Sequence, residues 1–210
     1  MAGLLVIFDL DGTLVDSEAQ SNQAFLDLLP DLRGTVGDLI HRYRGMRLAP
    51  VLADIEGRLG RKLPDSFQAD YRNRVSKLFE QHLEEMPGAH DVLEILSCSY
   101  CIASAGPPEK IRHSLRLTGL APYFGGRVFS SYEVGSWKPE PGLFLHTARS
   151  LGFAPSQCVV VEDSDPGLTA AMAAGMRAIH FAPDGLASTV GCHARISDLL
   201  SLPGIINKLA

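Results

Sequence analysis

Apolar residues in this chain gather in short, dense runs. Residues 4–8, 100–104, 127–130, 158–162 and 177–181 each centre on Val, Ile, Phe, Cys or Ala and are bounded by polar or glycine-containing stretches. Runs of that length predict strands, and their lack of polar alternation predicts strands covered on both faces. Between the later runs the pattern turns helical, near 108–118, 140–151 and 166–174. Strand–helix alternation of this kind predicts an α/β fold with a parallel sheet core and helices on both faces. In such sheets ligands collect beyond the carboxyl ends of the strands.

One long segment breaks the alternation. Residues 17–87 contain no convincing strand, and helical stretches there are punctuated by Pro30, Gly34, Gly37, Pro50, Gly57, Gly60, Pro64 and Pro87. This predicts an inserted all-helical cap over residues 17–87, with the core built from residues 1–16 and 88–210. A lobe tied by two connections is placed to act as a lid. A helix is expected from about His90, and another at the end over residues 202–210.

The strand ends carry the candidate chemistry. The first run leads into Asp9, Asp11 and Gly12. Residues two apart on a strand can point to the same side. Two carboxylates held so close in a half-buried place need a cation between them or a proton on one. A hard divalent ion with oxygen ligands meets that need, and Mg²⁺ is the expected one. An ordinary Asp-Gly turn is the plainer reading of Asp11 and Gly12 taken alone. The run at 158–162 repeats the theme, since it ends in Glu162, Asp163 and Ser164. Asp163 could complete an oxygen cage with Asp9 and Asp11, and Glu162 could hold a metal-bound water or a neighbouring ligand. Capping the next helix needs only one of these three residues. Asp165 before Pro166 is the expected capping acid of that helix.

Two further pieces fall at the same edge. Lys138, in a Lys-Pro-Glu-Pro segment, can neutralise an aspartate and an incoming phosphate together, and Pro139 and Pro141 restrict its reach. Ser104, followed by Ala105 and Gly106, places a hydroxyl and free backbone amides where a helix opens, which makes an anion cradle.

Composition narrows the classes. The 210 residues are 46% hydrophobic and 20% charged, with a formal net charge of −5. That describes a globular protein and argues against a nucleic-acid partner, whose footprint would be a basic stripe. No apolar run approaches a membrane span, and Asp9 interrupts the first run, which also lacks a basic flank; no membrane partner and a cytoplasmic location are expected. Cys98 and Cys101 form a C-x-x-C, but Cys158 and Cys192 supply no second pair, so all four are expected to be structural. The seven histidines show no ligand spacing, and Trp137 is expected to pack beside Lys138.

Taken in order, the D-x-D-G-T of residues 9–13, Ser104, Lys138 with Pro139, and Glu162 with Asp163 resemble the haloacid dehalogenase superfamily of phosphotransferases. The resemblance runs over essentially the whole chain. It implies a Rossmann-like core, and the insertion after the first motif is similar to the C1 cap of the subgroup holding phosphoglycolate phosphatase and β-phosphoglucomutase. It implies that Asp9 attacks phosphorus to give an aspartyl phosphate. Asp11 would protonate the leaving alcohol and then deprotonate water. Asp9, Asp163 and the backbone carbonyl of Asp11 would ligate Mg²⁺, with Glu162 beside them. Ser104, Thr13 and the amides of Ala105 and Gly106 would bind the phosphoryl group, and Lys138 would bridge Asp9 and phosphate. Arg44 and Arg47 match the cap segment that meets substrate, and could engage a second anionic or hydroxyl-bearing end. The expected partner is a small phosphate ester, the expected state a monomer. Cap and core are most similar to bacterial phosphatases of 6-phosphogluconate and related sugar phosphates. Two rival readings are a β-phosphoglucomutase-like isomerase, whose relatives carry a histidine where this chain has Ser21, and a non-catalytic ligand-binding module.

Overall fold

The computed structural model describes residues 3–209. Residues 1 and 2, expected in the core, and residue 210, expected in the last helix, lie outside the described residues.

The chain opens with strand β1 (Leu5–Phe8) and a two-residue strand, β2 (Val15–Asp16). Four helices follow: α1 (Glu18–Leu28), α2 (Val36–Tyr43), α3 (Leu48–Leu59) and α4 (Phe67–His82). Strand β3 (Glu84–Glu85) then pairs antiparallel with β2, Val15 facing Glu85 and Asp16 facing Glu84. The insertion expected over residues 17–87 therefore leaves and returns through one narrow ribbon.

The remainder alternates: α5 (Ala89–Ile95), β4 (Ser99–Ser104), α6 (Pro108–Leu117), α7 (Ala121–Phe124), β5 (Val128–Ser130), α8 (Ser131–Val134), α9 (Gly142–Ser150), β6 (Cys158–Glu162), α10 (Asp165–Ala173), β7 (Arg177–Phe181), β8 (Ala194–Ile196) and α11 (Leu202–Leu209). The six long strands form one sheet in the order β5-β4-β1-β6-β7-β8, and every pairing is parallel. All five predicted strands are present. The sixth, β8, was not foreseen: three residues after a long loop carry too little pattern to register.

Burial follows the pleat. Val6 and Phe8 pack into one apolar cluster with residues of α5, α6 and α11, while Leu5 and Ile7 pack into another with residues of α9 and α10. Both faces are thus covered, as a parallel sheet requires. A third cluster lies wholly within the inserted helices, joining Phe25, Leu29, Leu32, Leu39, Tyr43, Val51, Ile55 and Phe67. Thr35 starts α2 with a capping box, exchanging hydrogen bonds with Asp38. The inserted lobe is not merely hung by its ribbon, because Val75, Leu78 and Phe79 of α4 join the sheet's own cluster.

The cap cluster predicts its own stability. Ile55 is fully buried in that cluster, so Ile55→Ala should cost about 2–5 kcal/mol locally. Hydrogen exchange should accelerate in α1–α3 ahead of the sheet; equal acceleration throughout would mean one cooperative unit.

Candidate active site

The carboxyl ends of β1, β4 and β6 meet beneath the inserted helices, and the strand order puts β1 between the other two. Asp9 directly follows β1, and its backbone N–H donates to the Val161 carbonyl of β6 at 3.0 Å. Glu162 ends β6 and Asp163 follows it, so register alone brings three acids together. Asp9, Glu162 and Asp163 are all buried, and each offers an oxygen within 4.8 Å of the others.

One buried cation answers Asp9 and Glu162. The Lys138 ammonium, buried in the loop before α9, donates to Asp9 Oδ1 and, at 2.7 Å, to Glu162 Oε1. The other Glu162 oxygen accepts from the Ser164 N–H at 2.7 Å and its hydroxyl at 2.9 Å. Both Glu162 oxygens thus accept from protein donors, and Glu162 anchors Lys138 beside Asp9. Burial pushes the Asp9 carboxyl up to about 8, even with Lys138 pulling it down, and Glu162 and Asp11 add to the rise. Asp163 is likewise raised well above the usual carboxylate range, by burial and then by Glu162 and Asp9. Burial works against the Lys138 charge, yet Asp9 and Glu162 outweigh it and raise the lysine above its ordinary value.

The donor set therefore fits a divalent cation. Asp9 and Glu162 share one buried ammonium, and Asp163 beside them has only the Arg44 guanidinium at 3.9 Å, so the three carboxylates outnumber the charge that answers them. Gly12 makes room for the second of these: its φ is +78°, and a Cβ there would overlap the Asp163 carboxyl.

Asp11 is held apart from this cluster. Its Oδ1 accepts from the Ser17 hydroxyl at 2.6 Å and from the Lys110 ammonium at 2.7 Å. Burial alone would raise the Asp11 carboxyl, but Lys110 and Ser17 bring it below its ordinary value. Neither residue was singled out from the sequence. The signal for Lys110 was its place in the first turn of α6, where a cation opposes the helix dipole and needs an anionic partner.

The other expected residues divide. Ser104 ends β4, and its Oγ accepts from the Gly106 N–H at 3.0 Å while Ser130 Oγ donates to the Gly106 carbonyl at 2.7 Å. Ala105 and Gly106 line the cavity described next. Thr13 is buried, its hydroxyl donating to Asp163 Oδ1 at 3.4 Å, and faces the acid cluster rather than the cavity. Ser164, not Asp165, caps α10, accepting from the Gly167 N–H at 3.3 Å; Asp165 instead accepts from Thr189 and Ser188. Asp165 is already inside the helix, so the hydroxyl one residue earlier has the capping geometry.

A cavity of about 670 Å³ lies between sheet edge and cap, lined by Asp9, Asp11, Lys138 and Asp163 below and by Ser21, Asn22, Tyr43, Arg47 and Tyr71 above. The cap closes over it at several points. The Arg47 guanidinium lies 4.2 Å from the Trp137 ring centre, and Arg72 donates to the Tyr132 hydroxyl at 3.3 Å. Arg44 turns towards acids: it donates to Asp184 at 2.8 Å, and its Nε, 3.9 Å from Asp163, has no hydrogen bond. Of the two cap arginines, Arg47 lines the cavity and Arg44 does not. Gly45 between them has φ +72°, and a Cβ there would overlap Ser164.

The model of the haloacid dehalogenase-like hydrolase family matches residues 4–175. The 6-phosphogluconate phosphatase of Escherichia coli K12 is 32% identical over 183 residues, covering 85% of this chain and 82% of that protein. A phosphorylated carbohydrates phosphatase of Thermotoga maritima is 27% identical over 185 residues, covering 83% of each. Among solved structures, a haloacid dehalogenase-like protein of Agrobacterium tumefaciens C58 superposes with a TM-score of 0.85 at 30% identity, covering 99% of both chains.

Packing around Glu162 yields a paired test. A Cβ on Gly167 would overlap the Glu162 carboxyl, whereas one on Gly57 in α3 meets nothing within 4 Å. Gly167→Ala should lower the melting temperature, at a cost of about 1–3 kcal/mol, and depress activity. Gly57→Ala should stabilise by up to about 1 kcal/mol. Thermal unfolding of the two variants checks both signs.

Proposed function

The chain belongs to the haloacid dehalogenase-like hydrolases, and we propose that it is a phosphatase that hydrolyses phosphomonoesters of small carbohydrates, with a sugar-acid phosphate such as 6-phosphogluconate as the leading candidate. The observation that carries this reading is Asp9: a buried carboxylate at the floor of a cavity, gripped by a buried lysine. The named activities of the relatives support the carbohydrate class. The cavity is compatible with it, since charged groups at its floor meet a roof where Phe25, Leu48 and Val51 alternate with Ser21, Asn22, Arg47 and Asn73.

In this reading an Asp9 oxygen bonds to phosphorus as the bond to the ester oxygen breaks, and Asp11 gives the departing alcohol its proton. Asp11 then takes a proton from water, whose oxygen bonds to phosphorus and releases Asp9 and inorganic phosphate. Lys138 screens the approach of one anion to another and lies close enough to follow charge onto the transferring group. Ala105 and Gly106 would receive phosphoryl oxygens. A Mg²⁺ ion held by Asp9, Asp163 and the Asp11 carbonyl would supply further charge neutralisation. Arg47 would meet the sugar end. Residues 17–87 would act as the cap that excludes water over this site.

Ser21 stands where the mutase relatives of the resemblance have histidine, which favours hydrolysis over isomerisation. Together Asp9, Asp11, Lys138 and Asp163 weigh against a non-catalytic module.

Phosphate release from a panel of phosphorylated sugars and sugar acids tests this reading. Asp9→Asn, nearly the same shape, should reduce release from every active ester by at least about 10³-fold; turnover near wild type would remove Asp9 as nucleophile. A second measurement needs no turnover. Mg²⁺ at about 100 times its dissociation constant should stabilise the fold by about 2.7 kcal/mol, lifting the melting temperature by about 5–10 °C. Asp163→Asn should lose most of that lift; an equal lift in both proteins would place the ion elsewhere.

A further inference from the structure

Asp9 and Asp11, two residues apart beneath the cap, each have a lysine, and only one of the lysines belongs to the expected motifs. Lys138 is shared between Asp9 and Glu162. Lys110 reaches from α6 across to Asp11, at 2.7 Å, and its ammonium also lies 5.6 Å from the ring centre of Phe79 in α4 of the cap. The lysine thus spans the catalytic edge and the underside of the lid. Its side chain is about one-quarter exposed and lines the cavity.

The geometry at Asp11 is specific. Both donors, Lys110 Nζ and Ser17 Oγ, converge on the same oxygen, Oδ1. An oxygen already accepting two hydrogen bonds, one of them from an ammonium, is a poor seat for a proton. Any proton carried by this carboxyl then sits on Oδ2. The same clamp restricts rotation of the carboxyl, so Oδ2 is held in one orientation.

We propose that Lys110 is a positioning residue for proton transfer, fixing Asp11 through Oδ1 so that Oδ2 alone gives the proton to the leaving alcohol and later takes one from water. Lys110 itself forms and breaks no bond. This inference rests on the proton-transfer role given to Asp11 above.

The test exploits leaving groups that differ in their need for a proton. A nitrophenolate departs as a stable anion, whereas a sugar alkoxide must be protonated as it leaves. For each enzyme the quantity read is the ratio of kcat/KM for a hexose phosphate to that for p-nitrophenyl phosphate. Lys110→Met keeps the aliphatic stem and removes the donor, and should lower this ratio by about tenfold or more; Lys110→Arg should recover most of the loss. Asp11→Asn should lower the ratio by at least as much. In the Asp11→Asn background, adding Lys110→Met should change the ratio by less than about twofold, because two residues acting through one step do not add. A multiplicative loss in the double variant would mean that Lys110 touches the substrate directly and would overturn the proposal. So would a ratio unchanged by Lys110→Met. If Asp11→Asn leaves the ratio unchanged, the proton role of Asp11 fails first, and the role of Lys110 with it. Lys110→Gln is measured beside Lys110→Met, so that a fold defect peculiar to one variant does not decide the outcome.

Discussion

Three carboxylates around one buried ammonium is the constraint on which the rest depends. Asp9, Glu162 and Asp163 are brought within reach of one another by parallel pairing of β1 and β6, and Lys138 balances only part of their charge. Left in an apolar interior, that deficit would cost several kcal/mol per ion. The molecule answers it in two ways. It raises the proton affinities of Asp9 and Asp163, and it keeps their oxygens against a cavity where a cation and a phosphoryl group can enter. The site is thus short of positive charge, which suits its donor set to a divalent cation.

Much of this was legible before any coordinates. Buried parallel strands advertise themselves by unbroken Val and Ile, so β1 and β6 were readable, and so were the acids that terminate them. Lys138 and Ser104 were readable because the resemblance gave their order meaning. Lys110 and Ser17 were not. Their partner, Asp11, lies 99 residues from one and only six from the other, and neither spacing belongs to a local motif. Thr13 and Arg44 illustrate another limit. Residue type and position placed them near the site, but which side of Asp163 each faces is decided by packing, and both turn towards the acid instead of the cavity.

The cap follows the same logic. Its interior was foreseeable from apolar helices; its grip on the core combines the apolar packing of α4 with single side-chain contacts, Arg47 on Trp137, Arg72 on Tyr132, and Phe79 over Lys110. Such contacts are modest individually and exposed at their edges, so they favour closure without locking it. Ser17 adds a polar tie, because the residue that opens the first cap helix donates a hydrogen bond to Asp11.

The central seat of β1 carries a consequence for biogenesis. This strand is made before both of its neighbours, which are β4, beginning at Ser99, and β6, beginning at Cys158. Its hydrophobic residues must wait for Ser104 before one flank is complete and for Glu162 before the other, and only then can Asp163 join Asp9. Long-range parallel pairing of this kind is slow and leaves sticky edges exposed meanwhile. The cap cluster of Phe25, Leu39, Val51 and Ile55 is local, so it can form in that interval, whereas Val75, Leu78 and Phe79 of α4 must wait for the sheet.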